Sequence, residues 1–141
     1  MQPLILLAIV FALLILPFGW WTALRLGLAA MFLLTASAHW GRRRADLIRM
    51  VPPVFSRPDL LVTLTGICEI LGAIGLLIPE VASFAAIGLS LLLLAVFPAN
   101  VRAARDSIAI AGRRASPLPV RAAIQAIFLI ATVGVVLGAK R

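Results

Sequence analysis

Five apolar runs, broken by arginines and turn residues, divide the chain: roughly Gln2 to Leu16, Trp20 to His39, Leu60 to Ile78, Val81 to Phe97 and Val120 to Leu137. A helix needs about 20 residues to cross the hydrocarbon of a bilayer, with about 17 tolerated, so the last four runs are long enough to span. None alternates with the period of two that a membrane barrel requires, and open strands leave backbone groups unpaired in lipid. The pattern therefore predicts an all-α integral membrane protein, a single domain over residues 1–141. Its core is a four-helix transmembrane bundle, with an additional N-terminal hydrophobic helix.

The punctuation between runs sharpens this picture. The first run, "MQPLILLAIVFALLIL", is short for a span. It also lacks the basic start and the small-x-small cleavage site of a signal peptide, so it reads as a short or tilted span. Pro17, Phe18, Gly19, Trp20 and Trp21 follow it and predict a tight turn at an interface, where tryptophan rings favour the headgroup level and Pro and Gly interrupt a helix. Arg25, one turn further on, is expected to snorkel back to that interface. Between Ile78 and Val81 only Pro79 and Glu80 intervene, so the third and fourth helices must form an antiparallel hairpin, packed through Gly66, Gly72, Gly75 and Gly88. Ser56 or Asp59 is placed to cap the third helix, with Pro58 tolerated in its first turn.

Composition agrees with a membrane solvent: 63% of the residues are apolar and only five are acidic, against 13 Lys and Arg. The formal charge of +8 would suggest nucleic acid in a soluble chain, but here the arginines cluster between apolar runs, so no nucleic-acid partner is expected. The connection at residues 40–59 carries Arg42, Arg43, Arg44, Arg49 and Arg57, and that at 98–119 together with the next helix start carries Arg102, Arg105, Arg113, Arg114 and Arg121. Two spans separate these connections, so they share one face, whereas the other face has at most Arg25, Lys140 and Arg141. Basic loops stay inside. The expectation is a multi-pass protein of the cell membrane, a bacterial inner membrane, with both arginine-rich connections cytoplasmic and the carboxyl terminus outside. The first connection also interleaves Leu47, Ile48, Met50 and Val51 with its arginines, so it should lie along the interface and lid the mouth of the bundle.

One residue conflicts with lipid. Glu69, in "LTGICEILGAIGLLIP", lies nine residues beyond Leu60, about 14 Å into the bilayer at 1.5 Å per residue. Helical spacing places it on a strip of small residues with Val62, Thr65, Gly66, Gly72 and Ala73, which points it into the bundle. A charged carboxylate without a partner is costly at that depth, so Glu69 is expected to be held as the neutral acid in a pocket. His39 ends the second run on a stripe with Arg25, Leu28, Phe32 and Thr35. Asn100 follows Pro98, which leaves the Leu94 carbonyl without its usual donor. His39 and Asn100 are expected to shape the mouth of the pocket, and His39, Thr65, Glu69, Pro98 and Asn100 are the candidate ligand-binding residues. Glu69 is also the candidate catalytic group. A single His and a single Cys, Cys68, predict no metal site and no disulfide within the chain.

The terminal His39 of a helix, "MVPPVFSRPDLL", "TGICEILGAIGLLIP" and "FPANVRAA" together resemble the DoxX-like membrane proteins over roughly Trp21 to Leu137. The resemblance implies a small bundle with a four-helix core, some members being subunits of quinone-linked sulfur-oxidising complexes and others accompanying thiol or oxidative-stress proteins. Recurrent His, Glu and Pro-Ala-Asn positions of that family match His39, Glu69, Pro98, Ala99 and Asn100 here, and the apolar segment Gln2 to Leu16 is a departure. It implies a lipophilic ligand, quinone-like or lipid, and a membrane subunit that docks a soluble redox partner on the arginine-rich face. No covalently or tightly bound cofactor is expected beyond a quinone. The alternatives are a non-catalytic lipid- or partner-binding protein, a homo-oligomer included, and an isomerase-like enzyme moving protons on a lipophilic substrate through Glu69.

Overall fold

The computed structural model of the chain describes residues 2–110 and 112–138. Lys140 and Arg141, counted above towards orientation, lie outside the described residues. The order of helices is α1 (Gln2–Ser37), α2 (Arg44–Met50), α3 (Pro58–Leu77), α4 (Ala82–Arg105) and α5 (Leu118–Gly138). All but α2 are long and apolar enough to cross a membrane, as a multi-pass membrane protein requires. Two strands of two residues each, β1 (Ala109–Ile110) and β2 (Arg113–Arg114), pair antiparallel in the connection before α5.

The long first helix is bent back on itself. Gly19 has φ 77° and ψ 164°, a conformation outside the helical region that only glycine adopts at low cost. Residues 20 apart in a straight helix would be separated by about 30 Å, yet a Cβ placed on Gly27 would lie 3.2 Å from the Leu7 carbonyl oxygen. The Pro17–Gly19 turn therefore returns the N-terminal half of α1 along its own second half, and Arg43 just beyond that second half reaches Gln2 at 3.3 Å. One face of the N-terminal half, with Ile5, Ile9, Leu13 and Leu16, stays exposed, while Leu4 and Leu7 join the core.

The second half of α1 packs on α3 and α5, and α4 packs on the same two, so the four helices close a ring. Short connections alternate their directions. Residues 78–81 join α3 to α4, and along this hairpin Gly72 faces Leu89 while Gly75 faces Ala85. Gly66 and Gly88 depart from the expected glycine seam: Gly66 receives His39 and Trp40 from the α1 side, and Gly88 has open space around it. Leu28, Met31, Leu76, Leu89 and Val135 are buried at the centre, and large apolar side chains such as Leu71, Phe84, Leu91 and Ile130 cover the outside, as lipid contact demands.

Two helix limits differ from the sequence reading. α3 begins at Pro58, after Arg57, and neither Ser56 nor Asp59 supplies a side-chain cap; a proline in the first turn costs no helical hydrogen bond, and Asp59 faces the positive end of the helix dipole. α4 does not stop at Phe97 but continues through Pro98 to Arg105. Proline usually disrupts a helix because it lacks a donor and crowds the preceding turn. Here the chain stays helical on both sides of Pro98, and Gln125 of α5 braces the preceding turn by donating to the Leu93 carbonyl at 2.8 Å, one residue before the Leu94 carbonyl that the proline frees. The helix ends when Ser107 turns left-handed, φ 49°, and the Ile108 amide bonds the Ala103 carbonyl.

Candidate functional site

On α3 the positions Val62, Gly66, Glu69, Ala73 and Leu76 recur at intervals of four and three, which places them on one stripe. The other four are buried, whereas Glu69 is half-buried, so the inward stripe opens at the carboxyl group. Its partner comes from α1: Thr35 Oγ1 donates to Glu69 Oε2 at 2.7 Å. The same Thr35 oxygen is 2.9 Å from the Phe32 carbonyl of its own helix, so its one proton serves one acceptor at a time; when it goes to Phe32, a neutral Glu69 donates to Oγ1 instead. Among the described residues, no hydrogen bond is made by the other carboxyl oxygen, Oε1. The α1 stripe read from sequence holds, with Arg25, Leu28, Phe32 and His39 all buried and Thr35 half-buried among them.

His39 lies about one turn beyond Thr35, stacked on the bare backbone of Gly66: a Cβ there would be 2.7 Å from His39 Cβ and Cγ. Its Nδ1 is buried, facing the Thr35 and Ala36 backbone of the preceding turn, and its carbonyl accepts from Arg44 at 2.8 Å. Burial pushes the imidazole below the ordinary histidine range, outweighing the opposite pull of the Thr35 and Ala36 backbone groups, and the nearby Arg44 cation adds a smaller push in the same direction as burial. Thr65 turns its hydroxyl back to the Leu61 and Val62 carbonyls of α3.

Asn100 is on the opposite side of the ring. Arg121 donates to Asn100 Oδ1 at 2.8 Å, Asn100 Nδ2 donates to Gln125 Oε1 at 3.0 Å, and Gln125 continues to Leu93. Asn100, Arg121 and Gln125 thus form one polar ladder on the α4/α5 seam, while the candidate Pro98, two residues before Asn100, is exposed and is not a member of it. The expected convergence of Glu69, His39 and Asn100 on one pocket does not occur, because the first two belong to the α1/α3 seam and Asn100 is tied down by α5. Sequence reading missed Gln125, which is 6% exposed; its signal was a lone amide in an otherwise apolar run facing a helix that contains proline.

Arg25 is also placed differently from expectation. Rather than snorkelling out, it is 5% exposed and donates to the Leu76 carbonyl at 2.8 Å, at the end of α3. Its guanidinium carbon lies 4.5 Å from the centre of the Trp21 ring. A cation at a helix carboxyl end meets the negative end of the dipole and an orphan carbonyl, which makes inward burial tolerable. The Trp21 indole itself donates to the Val135 carbonyl of α5 at 2.8 Å, so these two residues tie α1, α3 and α5 together at the end away from the arginine-rich connections.

At the arginine-rich end the two connections pack on each other. Arg102 bonds the Val51 carbonyl and Asp106, and Arg49 bonds Asp46 and the Ala109 carbonyl. Between them is an open cavity of about 440 Å³, walled by Ile48, Val51, Pro52, Phe55 and Ile108, with Arg102 and Asp106 at its edge. The α2 segment thereby covers the arginine-bearing end of the bundle, with Met50 buried beneath it. Among the described residues, no group of three potential metal-ligating side chains stands together.

Neither the curated proteins nor the solved structures contain a match to this chain. A family model does match, over residues 28–136, which takes in the end of α1 from Leu28, both connections, the whole of α3 and α4 and most of α5. The chain belongs to that family, described as a domain of unknown function, DUF8561.

Proposed function

We propose that this bundle binds a lipophilic small molecule carrying a polar acceptor, quinone-like or lipid, at the α1/α3 seam, with Glu69 and Thr35 as its polar contacts. One observation carries the reading: Thr35 occupies Glu69 Oε2 and leaves Oε1 without a described partner on a stripe that is buried elsewhere. In hydrocarbon a lone carboxyl group is tolerable as the neutral acid. When Thr35 gives its one proton to Oε2, the acid proton of a neutral Glu69 is on Oε1 and can be donated to the carbonyl of a ligand entering from the membrane; when that proton goes to the Phe32 carbonyl, Oε1 is the acceptor left for a ligand donor. The DoxX-like resemblance supports a quinone and a role as the membrane subunit of a redox-associated complex. In that role the arginine-rich connections would face the cytoplasm and dock the soluble partner.

A second reading is supported by the same bond: Thr35 and Glu69 hold α1 to α3, and the protein binds lipids or a protein partner elsewhere. Purified protein incubated with decylubiquinone separates the two. Bound quinone should be lost in Glu69→Leu and retained in Glu69→Gln, whose amide can still donate. Equal retention by parent and Glu69→Leu would sink the ligand reading. A proton-transferring isomerase would instead keep binding but lose turnover in Glu69→Gln, with the fold intact.

A further inference from the structure

On the outer side of the α4/α5 seam, away from Glu69, is a groove of about 170 Å³ lined by Leu94, Phe97, Ala126 and Leu129, with buried Gln125 at its base. Along it Gln125 reaches across to the Leu93 carbonyl of α4, one turn before Pro98. At the head of the groove, one turn towards the arginine-rich end, are Asn100 and Arg121. Arg121 is half-buried, its Nε is buried without a partner, and no described carboxylate forms an ion pair with it. A guanidinium has five donors and one positive charge, yet among the described residues this one is offered only a neutral amide oxygen. Arg121 lies in the first turn of α5, the level at which lipid phosphates stand if the helix spans. Arg102 and Arg105 in the last turn of α4 keep that end positive, with Asp106 offsetting only part of their charge.

We propose that the α4/α5 groove is a site for one anionic phospholipid, its acyl chain lying along Leu94, Phe97, Ala126 and Leu129 and its phosphate received by the guanidinium of Arg121. The phosphate supplies the missing counter-charge through charge-assisted hydrogen bonds. The chain fills a surface that the bundle leaves concave, and the positive field at this end selects an anionic over a zwitterionic headgroup. Asn100 and Gln125 position Arg121 by tying it to the Pro98 turn.

The test is native mass spectrometry of the full chain equilibrated in mixed micelles containing dioleoyl phosphatidylglycerol and dioleoyl phosphatidylcholine. The parent should retain one phosphatidylglycerol per chain in preference to phosphatidylcholine. Arg121→Gln should reduce that retention about tenfold, as expected for loss of a charge-assisted bond. Ala126→Phe, at an exposed position that fills the groove without touching the polar ladder, should reduce retention of both lipids. Equal retention of the two lipids by the parent would overturn the proposal. So would unchanged phosphatidylglycerol retention in Arg121→Gln, or displacement by glycerol phosphate as effective as by whole lipid. Should Arg121→Gln fail to fold by circular dichroism, Ala126→Phe decides: retention at the parent level rejects the groove.

Discussion

Adding a methyl group at three glycines tests how closely α3 and α4 approach. At Gly72 a Cβ would lie 2.5 Å from Leu89 Cγ and 2.9 Å from its Cδ1, and Leu89 is only 1% exposed. Overpacking of that kind costs about 1–3 kcal/mol, against about 1 kcal/mol gained from the better helix propensity of alanine, so Gly72→Ala should lose on the order of 1 kcal/mol. At Gly75 the obstacle is the Ala85 Cβ at 2.7 Å. That methyl is fixed to the backbone and cannot rotate away, so the helices must part, and the loss should approach about 2 kcal/mol. Gly88 has nothing within 4 Å, so Gly88→Ala should be neutral or stabilising. Leu89→Ala alone should cost about 2–5 kcal/mol, but combined with Gly72→Ala it should cost less than the sum, because each change makes room for the other. The coupling should fall within the 0.5–3 kcal/mol typical of contacting pairs. Reversible unfolding in mixed detergent and SDS micelles, followed by circular dichroism, gives the order directly. If Gly75→Ala is as stable as Gly88→Ala, or if the Gly72–Leu89 pair is additive, the close approach of these helices is wrong.

Three further outcomes follow from single side chains. Arg25→Met should cost about 1–3 kcal/mol by leaving the Leu76 carbonyl unpaired, and Arg25→Lys should recover part of that in the same unfolding assay. Gly19→Ala should cost about 1–3 kcal/mol, because a Cβ is strained at φ 77°, and should loosen the N-terminal half of α1 as read by faster amide exchange over residues 4–11. His39 has a folded-state pKa below its ordinary value of 6.5, so the unfolded chain binds more protons as the solution is acidified. Stability should be full above about pH 6.5 and decline as pH falls towards the folded pKa, and His39→Gln should flatten that slope.

Much of the architecture was legible because lipid leaves few options. Runs of 17 or more apolar residues had to be helices, the two-residue link Pro79–Glu80 had to fold α3 against α4, and Gly19 between Pro17 and two tryptophans had to turn. The stripe through Arg25, Leu28, Phe32, Thr35 and His39 followed from helical spacing alone, and four of its five members are buried. What could not be read was which polar group meets which. Asn100 looked like a helix end because Pro98 precedes it, whereas α4 continues and the amide is used across the seam, with Arg121 and Gln125 of α5. Arg25 looked like a snorkelling residue because spacing gives a face but not the neighbour on it; the neighbour is the carboxyl end of α3, whose orphan carbonyl no sequence pattern reveals.

The placement of these polar groups divides the bundle along its length. At the end away from the arginine-rich connections, Ala73, Leu76, Ala82, Ala86, Leu89 and Val135 are buried, small side chains bring the helices close, and Arg25 is enclosed by carbonyl and indole. Towards the other end the packing loosens along α4 and at Glu69: α4 has no fully buried residue between Leu89 and Ala103, and Glu69 is half-open on its stripe. Close packing resists change because interiors transmit strain rather than absorb it, whereas half-buried polar seams can exchange partners at small cost. A ligand would therefore be admitted at the arginine-bearing half, between helices whose far ends are clamped. The α2 segment and the 440 Å³ cavity beneath the crossed connections stand over that same half.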